Sequence, residues 1–268
     1  MLLKDRFVHT GNVLFRYRGY QYVLMLPVFA LCRRDFALTH DGLIHSALCV
    51  AIALCGMTVR ALTVGFVSNL TSGRNTLHQV AEELNSTGAY SIVRNPLYVG
   101  NYLILLGTLM LTQSAEIVFL GTVVFAAFYT PIIFTEEAFL VDKFSERFAG
   151  YARGVNCIMP SLKNYRSPTA PFSLKMLLKR EHDTWLTTTL GLTAVEILRE
   201  VLPEVMKESP RAPLNGDVFS WSGVTLDPVF YALILAVVPL WTVLKILKKT
   251  RKSIFKRNYS MTSGHKGR

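Results

Sequence analysis

The chain has 268 residues, of which 51% are hydrophobic and only 18% charged, and its net charge is +11. With a mean hydropathy of +0.32, it falls on the membrane side of the usual soluble range. The basic residues lie beside apolar runs, which points to anionic lipid and positive-inside loops and away from nucleic acid.

Met1–Arg18 has no continuous apolar stretch and does not read as a cleavable signal. The first apolar run, Tyr20–Cys32, is short for a span of about 20 residues. It crosses only if tilted or extended by snorkelling at Tyr17 and Arg34, and a shallow re-entrant element is the alternative. The second run, Leu43–Val67, is long enough and carries Arg60. The third begins at Pro96 and ends at Leu111; after the polar patch Thr112–Glu116, the fourth runs from Ile117 to Phe134. So short a link makes runs three and four an antiparallel hairpin. Thr135–Asp183 is polar, and Trp185–Met206 is apolar at first but carries Glu196, Arg199 and Glu200. Pro203–Asp227 reads as a loop, Pro228–Leu247 as a last span, and the tail from Lys245 holds nine Lys or Arg and no acid.

These elements predict an all-α, polytopic integral membrane protein with about six membrane-crossing or re-entrant helices. Three regions follow: N-terminal helices (1–67), a central core (68–183), and C-terminal helices with the basic tail (184–268). If Trp185–Met206 crosses or dips, the loops 68–95 and 135–183 share the cytoplasmic side with the tail. Cys32, Cys49, Cys55 and Cys157 form no CxxC, and the six histidines form no HxxxH, so no metal site is expected.

Two segments carry the chemistry. In Gly88–Gly100, Asn95-Pro96 is a good helix start, with Asn at the cap and Pro at the first helical position. Free N–H groups of that first turn, the helix dipole and Arg94 make an anion site. Tyr98 can face a flat ring, and Gly100 permits close approach. An ordinary membrane helix entry, with Arg and Tyr as interface anchors, is the competing reading. In Thr135–Tyr151, Glu136 and Glu137 stand where the fourth run meets water. Paired acids there need solvent or a positive partner, so the pair is either a solvated helix end or a cradle for a cation. Both segments lie at one end of one hairpin. Together they offer groups complementary to a carboxylate, an ammonium, a sulfonium and an adenine ring.

Arg94-Asn95-Pro96-Leu97-Tyr98-Val99-Gly100 resembles the R-H-P-x-Y-x-G signature of the isoprenylcysteine carboxyl methyltransferase and phospholipid methyltransferase superfamily. The Glu136-Glu137 pair and a Phe-x-x-x-Phe-x-x-Tyr tail ending near Pro160 follow at the family's distance. The resemblance covers about Ser72 to Pro160. It implies an S-adenosylmethionine-dependent membrane methyltransferase that binds its cofactor through Arg94, Asn95, Pro96, Tyr98, Gly100, Glu136 and Glu137, with 68–183 as its core. The stretch from Gly73 resembles bacterial members acting on cell-envelope lipid, including lipid A phosphate, which implies a bacterial inner-membrane protein with a cytoplasmic site. Arg74 would then meet a lipid headgroup, and Arg60 a substrate or cofactor cavity.

Two departures bear on the substrate. Asn95 stands where the family has His, so an acid–base role there is lost. Thr130–Phe134 lacks the arginine that isoprenylcysteine enzymes carry before the acidic pair, which disfavours a prenylcysteine substrate. Methyl transfer to an oxygen that is already anionic needs no base, so the expected acceptor is a lipid phosphate or carboxylate, and no catalytic residue is assigned. The alternatives are an N-methyltransferase of phospholipid amines, an NADPH-dependent reductase resembling membrane sterol reductases, and a non-catalytic scaffold.

Overall fold

The protein is described by a computed structural model covering residues 3–18, 25, 28, 42–67, 81–207 and 226–263. Every element among these residues is a helix. They are α1 (Leu3–Tyr17), α2 (Gly42–Gly65), the single turn α3 (Ala89–Ile92), α4 (Pro96–Met110), α5 (Ala115–Gly154), α6 (Leu174–Lys207) and α7 (Pro228–Ser263). Leu43–Gly65, Ala115–Gly154 and Pro228–Thr250 are long and apolar enough to cross a membrane, and Pro96–Met110 is a shorter apolar helix. This is a polytopic α-helical membrane protein.

Lipid is as apolar as the helices, so close packing through small residues must hold the spans together. At the antiparallel contact of α2 and α4, a Cβ on Gly56 would lie 2.5 Å from Gly100 O, and one on Gly107 2.5 Å from Cys49 O. Leu109 fills the space beside Gly121, joining α4 to α5 as the expected hairpin. Of the first apolar run, only Met25 and Val28 lie within the described residues, and they share one buried cluster with Leu105, Leu109 and Ile117. α1 docks antiparallel on α5: Gly11 lies against Pro131, Thr135 Oγ1 donates to Val8 O at 3.1 Å, and Phe7 stacks on Phe134 at 5.5 Å.

The segment 135–183 is more helical than its polarity suggested. α5 continues past Phe134 to Gly154, broken at Ser145 by a left-handed φ of 43°, and α6 begins at Leu174. Polar helix formers sustain the helix, and Phe148 is still buried. The ambiguous run lies in α6, which extends the length of the bundle. At one end Asp183 accepts from Trp241 Nε1 and Lys245 Nζ, both at 3.1 Å; toward the other, Leu192 and Val195 pack with Cys49, Leu111 and Phe230. Two of its acids are paired inside the bundle, Glu181 with Arg60 and Glu196 with Arg199. Consequently α7 returns to the end of the bundle that holds Arg94 and Glu137, and carries its basic extension there.

Candidate active site

The chain reaches α4 through a strapped turn. Gly88 adopts a φ of 59°, favourable to glycine alone, and its N–H donates to Arg166 O at 2.8 Å. Arg94 N–H donates to Asn156 O at 2.8 Å, Ser161 N–H to Ile92 O at 3.0 Å, and Tyr151 Oη to Tyr90 O at 2.7 Å. The segment after α5 therefore fixes the residues on either side of α3 against the end of α5.

Asn95 and Pro96 occupy the expected N-cap and first helical positions, but the Asn95 side chain does not cap. Its Nδ2 donates to Cys157 O at 3.2 Å and reaches Glu137 Oε1 at 3.4 Å, a carboxylate being a stronger acceptor. The expected anion site of free N–H groups also shrinks. Pro96 has no N–H, and those of Tyr98 and Val99 already donate to Asn95 O at 3.1 and 3.2 Å.

Arg94 and Glu137 face each other. Nε and Nη2 of Arg94 donate to the two oxygens of Glu137 at 2.9 and 3.2 Å, while Nη1 donates to Ala152 O and Val155 O at 3.1 and 2.8 Å. Burial opposes the charge on Arg94, but the bond to Glu137 and that carboxylate's charge more than offset it, so the guanidinium binds its proton more tightly than usual. Beside them, burial and then the charge of Glu137 push the Cys157 thiol above its ordinary value.

Glu136 sits one residue away in a separate pair. It accepts from Arg18 Nη1 at 3.3 Å. The Tyr98 ring, expected to be open to a flat ligand, is buried with its centroid 4.8 Å from that of Tyr129. Gly100 lies against Gly56 and the Arg60 side chain, so its close approach serves helix packing. Arg60, expected to face a substrate cavity, makes a bidentate pair with Glu181 at 2.8 Å through both Nε and Nη2 and also donates to Asn101 Oδ1. An intramembrane guanidinium is costly without such a partner. Asn101 Nδ2 continues the chain to Tyr129 Oη at 3.2 Å, and Tyr129 Oη donates to Arg18 O at 3.4 Å. One polar chain thus crosses α6, α2, α4, α5 and the end of α1. Arg74 lies outside the described residues.

A cavity of about 170 Å³ opens beside α3, between the end of α2 and the segment 83–90. Phe66 and Tyr90 supply rings, and Thr63, Glu83, Asn85, Ser86 and Thr87 supply polar groups. Burial, then the nearby Glu136 carboxylate, raise the Tyr90 phenol to about 12, so it is a neutral donor at physiological pH.

Sequence reasoning missed Arg18, Asn101, Tyr129, Glu181 and Cys157. Asn101 and Tyr129 are polar groups inside apolar runs, and Arg60 demanded an acid, so those three were discoverable. Arg18 and Cys157 carried no signal of their own.

Residues 45–147 match the phospholipid methyltransferase family, a segment that contains Arg60, Arg94–Gly100 and Glu136-Glu137. The chain is 33% identical over 126 residues to the cobalt-zinc-cadmium resistance protein CzcN of Cupriavidus metallidurans, over 47% of this chain and 56% of that one. It is 29% identical over 157 residues to the nickel-cobalt-cadmium resistance protein NccN of Alcaligenes xylosoxydans xylosoxydans, over 58% and 71%. It is 34% identical over 95 residues to a protein-S-isoprenylcysteine O-methyltransferase of Schizosaccharomyces pombe, over 33% and 40%. The matched part thus spans just over half the length of the first relative. No solved structure matches. The family match and one of the relatives are of the phospholipid and isoprenylcysteine methyltransferase type, and the family match falls on the segment that holds both motifs.

Proposed function

We propose that this protein is an integral-membrane methyltransferase that uses S-adenosylmethionine and acts on the phosphate or carboxylate oxygen of an amphipathic lipid. The observation that carries the reading is the meeting of the two motifs. Arg94 and Glu137, distant in sequence and both inside the family-matched segment, are in hydrogen-bond contact at one end of the bundle. The basic tail emerges at that same end, which supports a cytoplasmic site.

The residues fit the cofactor by exchange. An arginine–glutamate pair is complementary to an amino-acid zwitterion: Arg94 would take the carboxylate and Glu137 the ammonium, and Glu136 would offset the charge of the sulfonium. The cavity beside α3 suits an adenosine, with rings from Phe66 and Tyr90 and polar groups from Asn85 and Thr87. When bound, S-adenosylmethionine supplies a methyl group on a cationic sulfur, whose C–S electron pair returns to sulfur as the acceptor oxygen forms the new O–C bond. The protein's own contribution is alignment and exclusion of water. No proton needs to be removed, which agrees with Asn95 in the family histidine's place.

Calorimetric titration of S-adenosylmethionine into purified wild type and Glu137→Gln tests this. Binding by wild type, weakened about 10-fold or more by the loss of one charge-assisted contact, is expected. No binding by wild type overturns the reading, and NADPH binding in its place would favour the reductase. The two metal-resistance relatives favour one addition concerning role: growth of a deletion strain on cobalt, zinc and cadmium should be impaired if the modified lipid serves metal tolerance.

A further inference from the structure

We propose that Arg18, outside the family-matched segment, is the residue that binds the oxyanion of the methyl acceptor. The proposal rests on the methyltransferase reading and adds to it the group that selects the substrate. Three arginines stand near the site end, and two of them are already committed, Arg60 to partners within the bundle and Arg94 to the cofactor carboxylate in the reading above. Arg60 engages Glu181 through two nitrogens and Asn101 through the third, and Arg94 engages Glu137 and two carbonyls. Arg18 touches Glu136 through Nη1 alone, at 3.3 Å, the longest of the three pairs. Among the described residues, no acceptor engages its Nε or Nη2, and its side chain is 24% exposed. A guanidinium held end-on leaves an edge of its fork open, and that edge matches two oxygens of a phosphate or carboxylate.

Its position is held by packing. The guanidinium carbon lies 4.0 Å from the Phe15 ring centroid, and Phe15 is buried with Tyr98, Phe128 and Tyr129. Tyr129 Oη bonds to the Arg18 carbonyl, and α1 is locked to α5 at Gly11 and Val8. The open edge is thus presented next to Glu136 with little side-chain freedom left to lose.

The test uses full-length protein in nanodiscs, with dilauroyl phosphatidic acid, phosphatidylglycerol, oleate and phosphatidylethanolamine as separate probes, and S-adenosylmethionine affinity measured in parallel. Wild type should prefer the anionic probes, and the order among them separates phosphomonoester, phosphodiester and carboxylate. Arg18→Gln should weaken the preferred anionic probe by about 10- to 150-fold, leave phosphatidylethanolamine unchanged and not weaken S-adenosylmethionine, because Glu136 is released. Arg18→Lys, which keeps the charge should Arg18→Gln fail to fold, should fall between. Equal losses for anionic and zwitterionic probes, or no loss in either variant, overturn the assignment. Selective loss at Arg18 in a wild type that does not bind S-adenosylmethionine would keep the oxyanion site and remove the methyltransferase reading.

Discussion

Arg60→Met removes one half of an ion pair whose other half, Glu181, is 3% exposed. Leaving a buried carboxylate without its partner costs about 3–5 kcal/mol, and the orphaned Asn101 Oδ1 adds about 1–3 kcal/mol if no water reaches it. Glu181→Leu leaves Arg60 in the converse position, with Asn101 and Thr184 still accepting. Replacing both removes the stranded charge, so the double variant should cost less than either single one, and the two single costs should overlap by at least about 2 kcal/mol. Reversible unfolding in mixed micelles, followed by circular dichroism for the wild type and the three variants, measures that overlap. Additive costs would mean that the side chains do not face each other and that Arg60 points at a ligand, as its sequence context first suggested.

The remaining predictions use other parts of the site end. Cys157 is held above its ordinary pKa by burial and then by Glu137, so Glu137→Gln should raise the thiolate fraction and move the pH profile of iodoacetamide alkylation to lower pH; an unmoved profile refutes the contact. Gly107→Ala puts a Cβ 2.5 Å from Cys49 O and should lose about 1–3 kcal/mol, whereas Gly191→Ala, with nothing within 4 Å, should gain about 0.5–1 kcal/mol, both read from unfolding midpoints. Single cysteines at Glu83, Lys163 and Lys249, in a chain without its native cysteines, should be labelled from one membrane side only; a split result refutes a membrane-crossing α6.

The sequence made the hairpin legible because apolar runs separated by a link of only five residues, four of them polar, leave one arrangement. It also made the two motifs legible as neighbours, since both ends of the hairpin return to one side. It did not reveal what those motifs face. Asn95 has the composition and position of a helix cap, yet its amide turns to Glu137 and Cys157 O, a choice made by residues more than 40 positions away. Tyr98 and Gly100 read as ligand contacts because ring and backbone access look alike whether a cofactor or a neighbouring helix fills the space. Here Tyr129 and Gly56 fill it. The polarity of Glu181, Glu196 and Arg199 obscured α6 for the same reason: charges paired across or along helices are compatible with a membrane interior, but hydropathy counts each one singly.

Four of the ion pairs differ in a way that bears on function. Arg199–Glu196 and Arg60–Glu181 have carboxylates only 1% and 3% exposed, whereas those of Arg94–Glu137 and Arg18–Glu136 are 24% and 27% exposed. Opening a dry pair leaves charges that nothing solvates and costs several kcal/mol, while exposed pairs are worth about 0–1 kcal/mol. Binding by exchange is therefore less costly at the site end, where both carboxylates keep partial access to solvent. The deeper pairs hold α6 to α2 and close its own turn, and cannot serve as receptors without loss of the fold. The family-matched motif and the unmatched Arg18 both fall on the wet side of that gradient. The proposed cofactor contacts and the proposed oxyanion contact consequently share the region, among the described residues, where these pairs can change partners at low cost.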